Sequence, residues 1–480
     1  MTDQPATGRR NLWPDYRTVW RWHFYAGLLC IPFILWLSAT GSIYLFKPQI
    51  ESWLERPYDH LVLTAAPQPP SAQVRAALAA VPGTTLRAYE LPQSPTSATR
   101  VIVSRGAKQV RVYLRPDTLQ VLKVLDEDDR FMRVVFRLHG ELLAGDRGSN
   151  LVELAACWAI VMLVTGLFLW WPRGAAGLAG VVWPRLGGGS RQVWRDLHAV
   201  TGLWVSLFAI VLLLTGLPWA KNWGGYLKEV RRLAGGSAAT MDWTNGRSAE
   251  LAQRRAQDAG ARAAMDDDHA GHGGMAMPDM SMSGLSMSAM SMPAMDSTAE
   301  RFAPLDRMVP TVAALHLPPP VSISPPGRRH GGWTAKSDTP NRPQRVDLTL
   351  DPVTGAITRR TNFNQRHWID QVVGFGVAAH EGQLFGWLNQ ALGVFAASGL
   401  ATLAVSAVVM WWRRRPDGEL GAPRALADRR VGAGLVAVTV LLAIYLPLLA
   451  ISLPVVLALE FLVLRRIAPV ARWLGLAAPS

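Results

Sequence analysis

Four stretches of this chain, residues 24–46, 151–171, 199–219 and 391–412, are apolar and almost free of charge. Each is close to the ~20 residues that an α-helix needs to cross a hydrocarbon core. A bilayer holds no water to satisfy backbone groups, so such runs must be helical. Composition agrees, with 50% of residues hydrophobic and only 18% charged. These runs predict an integral membrane α-helical bundle with four main spans. A further apolar stretch, 431–464, is interrupted by Pro447 and Pro454 and flanked by Arg429, Arg430, Arg465 and Arg466. Basic residues at both ends fit a C-terminal hairpin better than one crossing.

The formal net charge of +14 does not call for nucleic acid, because much of it flanks the spans. Arg9, Arg10, Arg17 and Arg21 precede the first span, and Arg173, Arg185, Arg191 and Arg195 lie between the second and third. Arg413, Arg414 and Arg415 follow the fourth. The positive-inside rule makes these regions cytoplasmic, with the N-terminus inside, and puts both long connections, 47–150 and 220–390, outside. The first apolar core is longer than that of a signal peptide and no A-x-A-like site follows it, which predicts an uncleaved anchor. Both cysteines, Cys30 and Cys157, fall inside spans. The outer segments therefore have neither a disulfide nor a cysteine-ligated cluster.

The spans match in alternating pairs. In "WRWHFYAGLLCIPFILWLSATG" His23 is followed by Gly27, Thr40 and Gly41 at offsets of 4, 17 and 18 residues. In "WRDLHAVTGLWVSLFAIVLLLTG" His198 is followed by Gly202, Thr215 and Gly216 at the same offsets. His139 precedes Gly145 and the pair Trp170–Trp171 by 6, 31 and 32 residues, and His380 precedes Gly386 and Trp411–Trp412 identically. This predicts an internal duplication of span, outer domain, span. The tryptophan pairs read as an aromatic belt at the cytoplasmic interface.

Each outer segment is predicted to be a small α+β domain. Residues 71–80 read as a short helix, followed by alternating segments near 84–90, 100–105 and 109–114 and a last strand after "RPDTLQ". In the second copy, "RVDLTLDPVTGAITRR" reads as strand, turn and strand. The first copy then comprises a cytoplasmic tail (1–22), first span (23–46), outer domain (47–138), and interfacial segment with second span (139–171). After a cytoplasmic loop (172–194), the second has a span (195–220), outer domain (221–379), and interfacial segment with fourth span (380–412). A loop (413–430), the hairpin (431–464) and a cytoplasmic tail (465–480) complete the chain.

A lone histidine at a membrane boundary is accounted for by headgroup-level placement or a hydrogen bond to a neighbouring helix. Four at matched offsets point to a shared role. His23 and His198 begin outward-running spans and lie near the cytoplasmic face, whereas His139 and His380 precede inward-running spans and lie outside. Two imidazoles facing across a bundle supply the axial ligands of a six-coordinate haem, a closed arrangement suited to electron transfer. One turn on, Gly27 and Gly202 would leave room for a flat macrocycle, although close helix packing accounts for them equally. His139 stands 12 residues before Leu151, and one helix from 139 to 171 would be about 49 Å long. Short interfacial helices are therefore expected to carry the outer pair. Arg133, Arg137, Arg191 and Arg195 would be near haem propionates, or would simply orient spans. No H-E-x-x-H, C-x-x-C, G-x-G-x-x-G or Walker motif is present. The electron donor would thus be another molecule, a quinol or a cytoplasmic reductant.

Residues 265–296, "MDDDHAGHGGMAMPDMSMSGLSMSAMSMPAMD", have no hydrophobic period and read as a disordered insert. They carry His269, His272, Met265, Met275, Met277, Met280, Met282, Met287, Met290, Met292 and Met295. Thioethers select Cu(I) and imidazole takes either copper state, so copper is a candidate ligand; a low-complexity linker without a metal is the other reading.

Together the four histidine-led segments, the T-G closing two spans, the "LWWPR" exit and the "LDPVTG" turn resemble the PepSY-associated transmembrane family. The family includes iron-regulated inner-membrane proteins and ferric-siderophore reductases of Gram-negative bacteria. The resemblance implies an inner-membrane protein with two PepSY-like periplasmic domains and two b-type haems. His23 and His198 would ligate the inner haem, His139 and His380 the outer. It also implies a ferric siderophore or another metal chelate as partner, besides membrane lipid. The methionine-rich insert departs from that pattern and raises copper handling as an alternative. A cofactor-free scaffold whose PepSY domains bind peptides is the third.

Overall fold

The structure is a computed structural model describing residues 14–173, 177–233, 245–270, 297–327, 332–423 and 433–476. The chain starts with α1 (Tyr16–Leu45), α2 (Lys47–Asp59) and α3 (Pro70–Ala80), then strands β1 (Thr85–Glu90), β2 (Thr99–Arg105), β3 (Lys108–Leu114) and β4 (Val121–Asp126). Next come α4 (Phe131–Glu141), α5 (Gly145–Trp170), α6 (Ser190–Gly216), α7 (Lys221–Leu233) and α8 (Arg247–Ala270). Helices α9 (Ser297–Phe302) and α10 (Pro304–Ala313) precede β5 (Val321–Ser324), β6 (Trp333–Ser337), β7 (Val346–Leu350) and β8 (Ile357–Asn362). Last are α11 (Trp368–His380), α12 (Trp387–Arg414), α13 (Ala433–Tyr445), α14 (Pro447–Leu459) and α15 (Ala468–Trp473). These elements form two compact units, a helical one (1–46, 135–247, 379–480) and a sheet one (47–134, 248–378).

In the helical unit α1 packs on α5 and α12, and α6 packs on the same two helices, closing a four-helix ring. Among the described residues, five helical stretches are long and apolar enough to cross a membrane: the four ring helices, with α6 counted to Trp219, and Pro447–Leu464. The shorter α13 spans about 20 Å at 1.5 Å per residue. Segments on either side of the C-terminal apolar stretch, at Pro423 and at Leu474–Gly475, meet α1. Arg21 Nη1 donates to Pro423 O at 2.8 Å and to Gly475 O at 2.9 Å, and the Tyr25 hydroxyl donates to Leu474 O. The tip, at Tyr445–Pro447, is held by Trp223 Nε1 donating to Tyr445 O.

Neither α4 and α5 nor α11 and α12 form one long helix. Leu142, Leu143 and Gly145 all take positive φ (50°, 55° and 59°), which ends α4 and redirects the chain. A Cβ on Gly148 would lie 1.8 Å from Glu141 O, so only glycine permits this crossing. Before α12, Gly382 and Gly386 have φ of 73° and 62°. Asn389 staples that turn, its Oδ1 accepting from Leu384 N and its Nδ2 donating to Ala379 O.

The sheet unit corrects one expectation. The two outer segments do not make separate sheets; all eight strands join in one antiparallel sheet, ordered β4-β3-β2-β1-β5-β6-β7-β8. The junction pairs Tyr89 with Ile323 and Glu90 with Ser322. Tyr89 and Ile323 are both almost fully buried. In two separate domains β1 and β5 would be apolar open edges, which proteins avoid. Val74 and Ala77 of α3 and Leu305, Met308 and Val312 of α10 share one core with both halves of the sheet. Helix α8 runs to Ala270 and so takes in residues 265–270, the start of the segment that reads as a disordered insert. Its remainder, 271–296, lies outside the described residues.

Candidate cofactor site: two facing histidine pairs

His23 of α1 and His198 of α6 face each other, with ring centres 6.4 Å apart and planes at 83°. Both project from ring helices, and each is held by the helix behind it. His23 Nδ1 lies 3.0 Å from Met162 O and 3.1 Å from Thr165 Oγ1 of α5. His198 Nδ1 lies 3.2 Å from Leu403 O and 3.0 Å from Ser406 Oγ of α12. A carbonyl can only accept, so Nδ1 carries the proton and Nε2 the lone pair.

His139, at the end of α4, and His380, at the end of α11, form the second pair, with centres 6.3 Å apart and planes at 73°. His139 Nδ1 is 2.9 Å from Thr40 Oγ1, and His380 Nδ1 is 3.1 Å from Thr215 Oγ1. Each threonine already donates its proton to its own helix, Thr40 to Trp36 O and Thr215 to Val211 O. Its oxygen therefore accepts from the imidazole, which again leaves Nε2 unprotonated. Burial and the neighbouring His380 ring push His139 down to about 4, and burial lowers His380 as well. Burial thus disfavours the protonated form of both rings, and a metal-ligating imidazole is neutral.

Both histidine pairs expected from the sequence are thus brought together, each within 6.4 Å between ring centres. Gly27 and Gly202 stand one turn from His23 and His198 on α1 and α6. A Cβ there would sit 3.9 Å from Met162 Sδ and 3.6 Å from Leu403 Cδ2, ordinary contacts between packed helices. The glycines that touch the rings are Gly41, Gly166 and Gly216, where a Cβ would stand 3.2, 3.1 and 3.2 Å from Cε1 of His139, His23 and His380. In the sequence the two Thr-Gly closures stand out without a role, and Thr165, Gly166 and Ser406 do not stand out at all. A third T-G in span two was the available signal. Several boundary arginines have carboxylate partners: Arg195 and Arg185 hold Asp196, Arg137 holds Glu141, and Arg133 pairs with Asp128 and Glu250. Trp170 and Trp411 each donate Nε1 to the loop that follows, to Val181 O and Leu420 O. Met265 and His269 fall on the last turns of α8, while His272 and the eight remaining insert methionines lie outside the described residues.

Among the described residues no three His, Cys, Asp or Glu side chains converge to hold a bare metal ion. What each pair offers is two opposed imidazoles with Nδ1 committed elsewhere, the second-shell pattern of histidine ligands. The fold and this site define a multi-pass membrane protein built around two facing histidine pairs. The chain belongs to the family described as the PepSY-associated TM region, whose model matches residues 20–414. No curated protein matches it.

Proposed function

We propose that this protein is an inner-membrane di-haem b protein that passes electrons from the cytoplasmic side to the periplasm and reduces ferric iron there, held in a siderophore or similar chelate. The pairing of the histidines carries this reading. Two imidazoles bound through Nε2 to opposite faces of one metal, each about 2 Å from it, have ring centres roughly 6 Å apart. The two pairs show 6.4 and 6.3 Å. With only two protein ligands per site, the remaining donors must come with the metal, as a macrocycle provides them. Bound there, haem would supply one-electron transfer at a closed, six-coordinate iron.

The chain's own part is to hold the ligands and space them. Seventeen residues separate His23 from Thr40 on α1, and His198 from Thr215 on α6. That is about 26 Å of helix, so the pairs occupy opposite ends of the ring helices. A relay between two faces of a bilayer needs this separation. On this reading His23 and His198 take electrons from a quinol or cytoplasmic donor, and His139 and His380 serve the periplasmic face. The family supports a ferric chelate as acceptor; the methionine-rich composition of 265–296 favours Cu(II) as the rival.

Purified protein from haem-replete cells should be red, and dithionite should sharpen a b-type α-band. His198→Ala should remove about half the haem while His139 and His380 keep theirs. Mixing the reduced protein with a ferric chelate should reoxidise it faster than Cu(II) does. A colourless wild-type protein sinks the redox reading, and reoxidation by copper alone replaces iron with copper.

A further inference from the structure

Every ring in the two pairs is held by a hydroxyl residue followed by a small one on a different helix. Thr40-Gly41 holds His139, Thr215-Gly216 holds His380, and Thr165-Gly166 holds His23. Ser406, followed by Ala407, holds His198. We propose that these hydroxyl–small-residue pairs are orienting clamps that fix the imidazole planes of each couple close to perpendicular and thereby set the spectroscopic character and midpoint potential of bound haem. The inference rests on the di-haem reading.

An imidazole attached through Nε2 can turn about its bond to the metal. What fixes its plane is whatever Nδ1 and the ring edge touch. The hydroxyl gives Nδ1 a direction. The glycine gives the Cε1 edge a floor, since a methyl group there would press at 3.1 to 3.2 Å on His23, His139 and His380. Within each couple the two clamps come from different helices, α5 and α12 for the inner rings and α1 and α6 for the outer. Each ring angle is therefore set independently, and the resulting planes cross at 83° and 73°.

The clamp oxygens are also fixed in role. Thr40, Thr165, Thr215 and Ser406 spend their protons on Trp36 O, Val161 O, Val211 O and Leu403 O, within their own helices. Each oxygen is left to accept from Nδ1–H. That bond makes the imidazole a stronger donor to the metal, which favours ferric over ferrous iron and lowers the potential. Crossed axial planes give low-spin ferric haem a strongly anisotropic paramagnetic resonance signal, whereas parallel planes give a rhombic one.

The test uses the full-length protein in detergent, with Thr40→Val, Thr40→Ser and Gly41→Ala. Wild type should show strongly anisotropic low-spin signals. Thr40→Val should move one of the two towards rhombic and raise one midpoint potential by a tenfold shift in the reduction equilibrium, about 59 mV for one electron. Thr40→Ser should restore both, and Gly41→Ala should alter the signal shape with the acceptor still in place. A Thr40→Val protein that loses only its outer haem, while Thr40→Ser keeps it, supports the clamp equally. Wild-type signals and potentials in both Thr40→Val and Gly41→Ala, or no rescue by Thr40→Ser, overturn the clamp and leave the di-haem reading standing. A colourless wild-type protein overturns both.

Discussion

Asp117 sits at the turn between β3 and β4, where its carboxylate accepts from the Thr64 amide and hydroxyl and from Arg115 Nε. The Thr64 amide, with Arg115 behind it, holds this carboxyl well below the usual range. A depressed folded pKa contributes stability above the unfolded value of about 3.9 and loses it as pH falls below that. Asp117→Asn should therefore lower the sheet unit's urea midpoint at pH 7, and the difference from wild type should shrink as the titration goes below pH 4. A difference that stays constant with pH would show that shape rather than charge matters here. Not every buried acid signals chemistry. Glu153, 1% exposed in α5, accepts from the amides of Asn222 and Trp223 and so satisfies the start of α7. In a medium without water that duty is reason enough for its carboxyl group.

Helix breaks place His139 and His380. The α4–α5 turn carries two non-glycine residues at positive φ, Leu142 and Leu143, an arrangement that costs of order 1–3 kcal/mol each and persists only where neighbours enforce it. Gly148 is one such neighbour because α5 passes Glu141 O at a distance no side chain allows. Gly148→Ala should open the turn and displace His139 from Thr40 and His380, and on the proposed di-haem reading it should lower haem per protein towards one equivalent, read by pyridine haemochrome assay. Retention of both haems would mean that the turn can relax without moving the ring. The sequence calls for a break between His139 and Leu151, and the turn falls within that interval at Leu142–Ala144, with Gly145–Asn150 already part of α5. Its depth was not legible, because which surface a glycine touches depends on a partner distant in the chain.

At the scale of the whole molecule, the joining of β1 to β5 puts strands from residues 47–134 and 248–378 in one sheet. Ile323 is fully buried at this junction, and Ile323→Ala should cost about 3 kcal/mol by cavity formation. Amide exchange should then accelerate in β2–β3 as well as in β6–β7 of the full-length protein. Acceleration confined to β5–β8 would show that the halves unfold separately. Individual strands were legible from alternation: the segments near 84–90, 100–105 and 109–114 appear as β1 to β3 with shifts of a residue or so. Their union across more than 200 residues was not, because main-chain pairing at a strand edge leaves little trace in side-chain pattern.

Sequence by itself determined the solvent and the ligand candidates. Apolar runs of this length admit only helices in lipid, and four histidines at repeated offsets stand out against an apolar background. Tertiary structure alone decided that these rings meet in couples, that hydroxyls reaching from other helices hold Nδ1, and that glycines distant in sequence lie against their edges. Periodicity and spacing record what each helix does with its own face. Which faces meet, and at what angle, is fixed by packing among segments that composition cannot see.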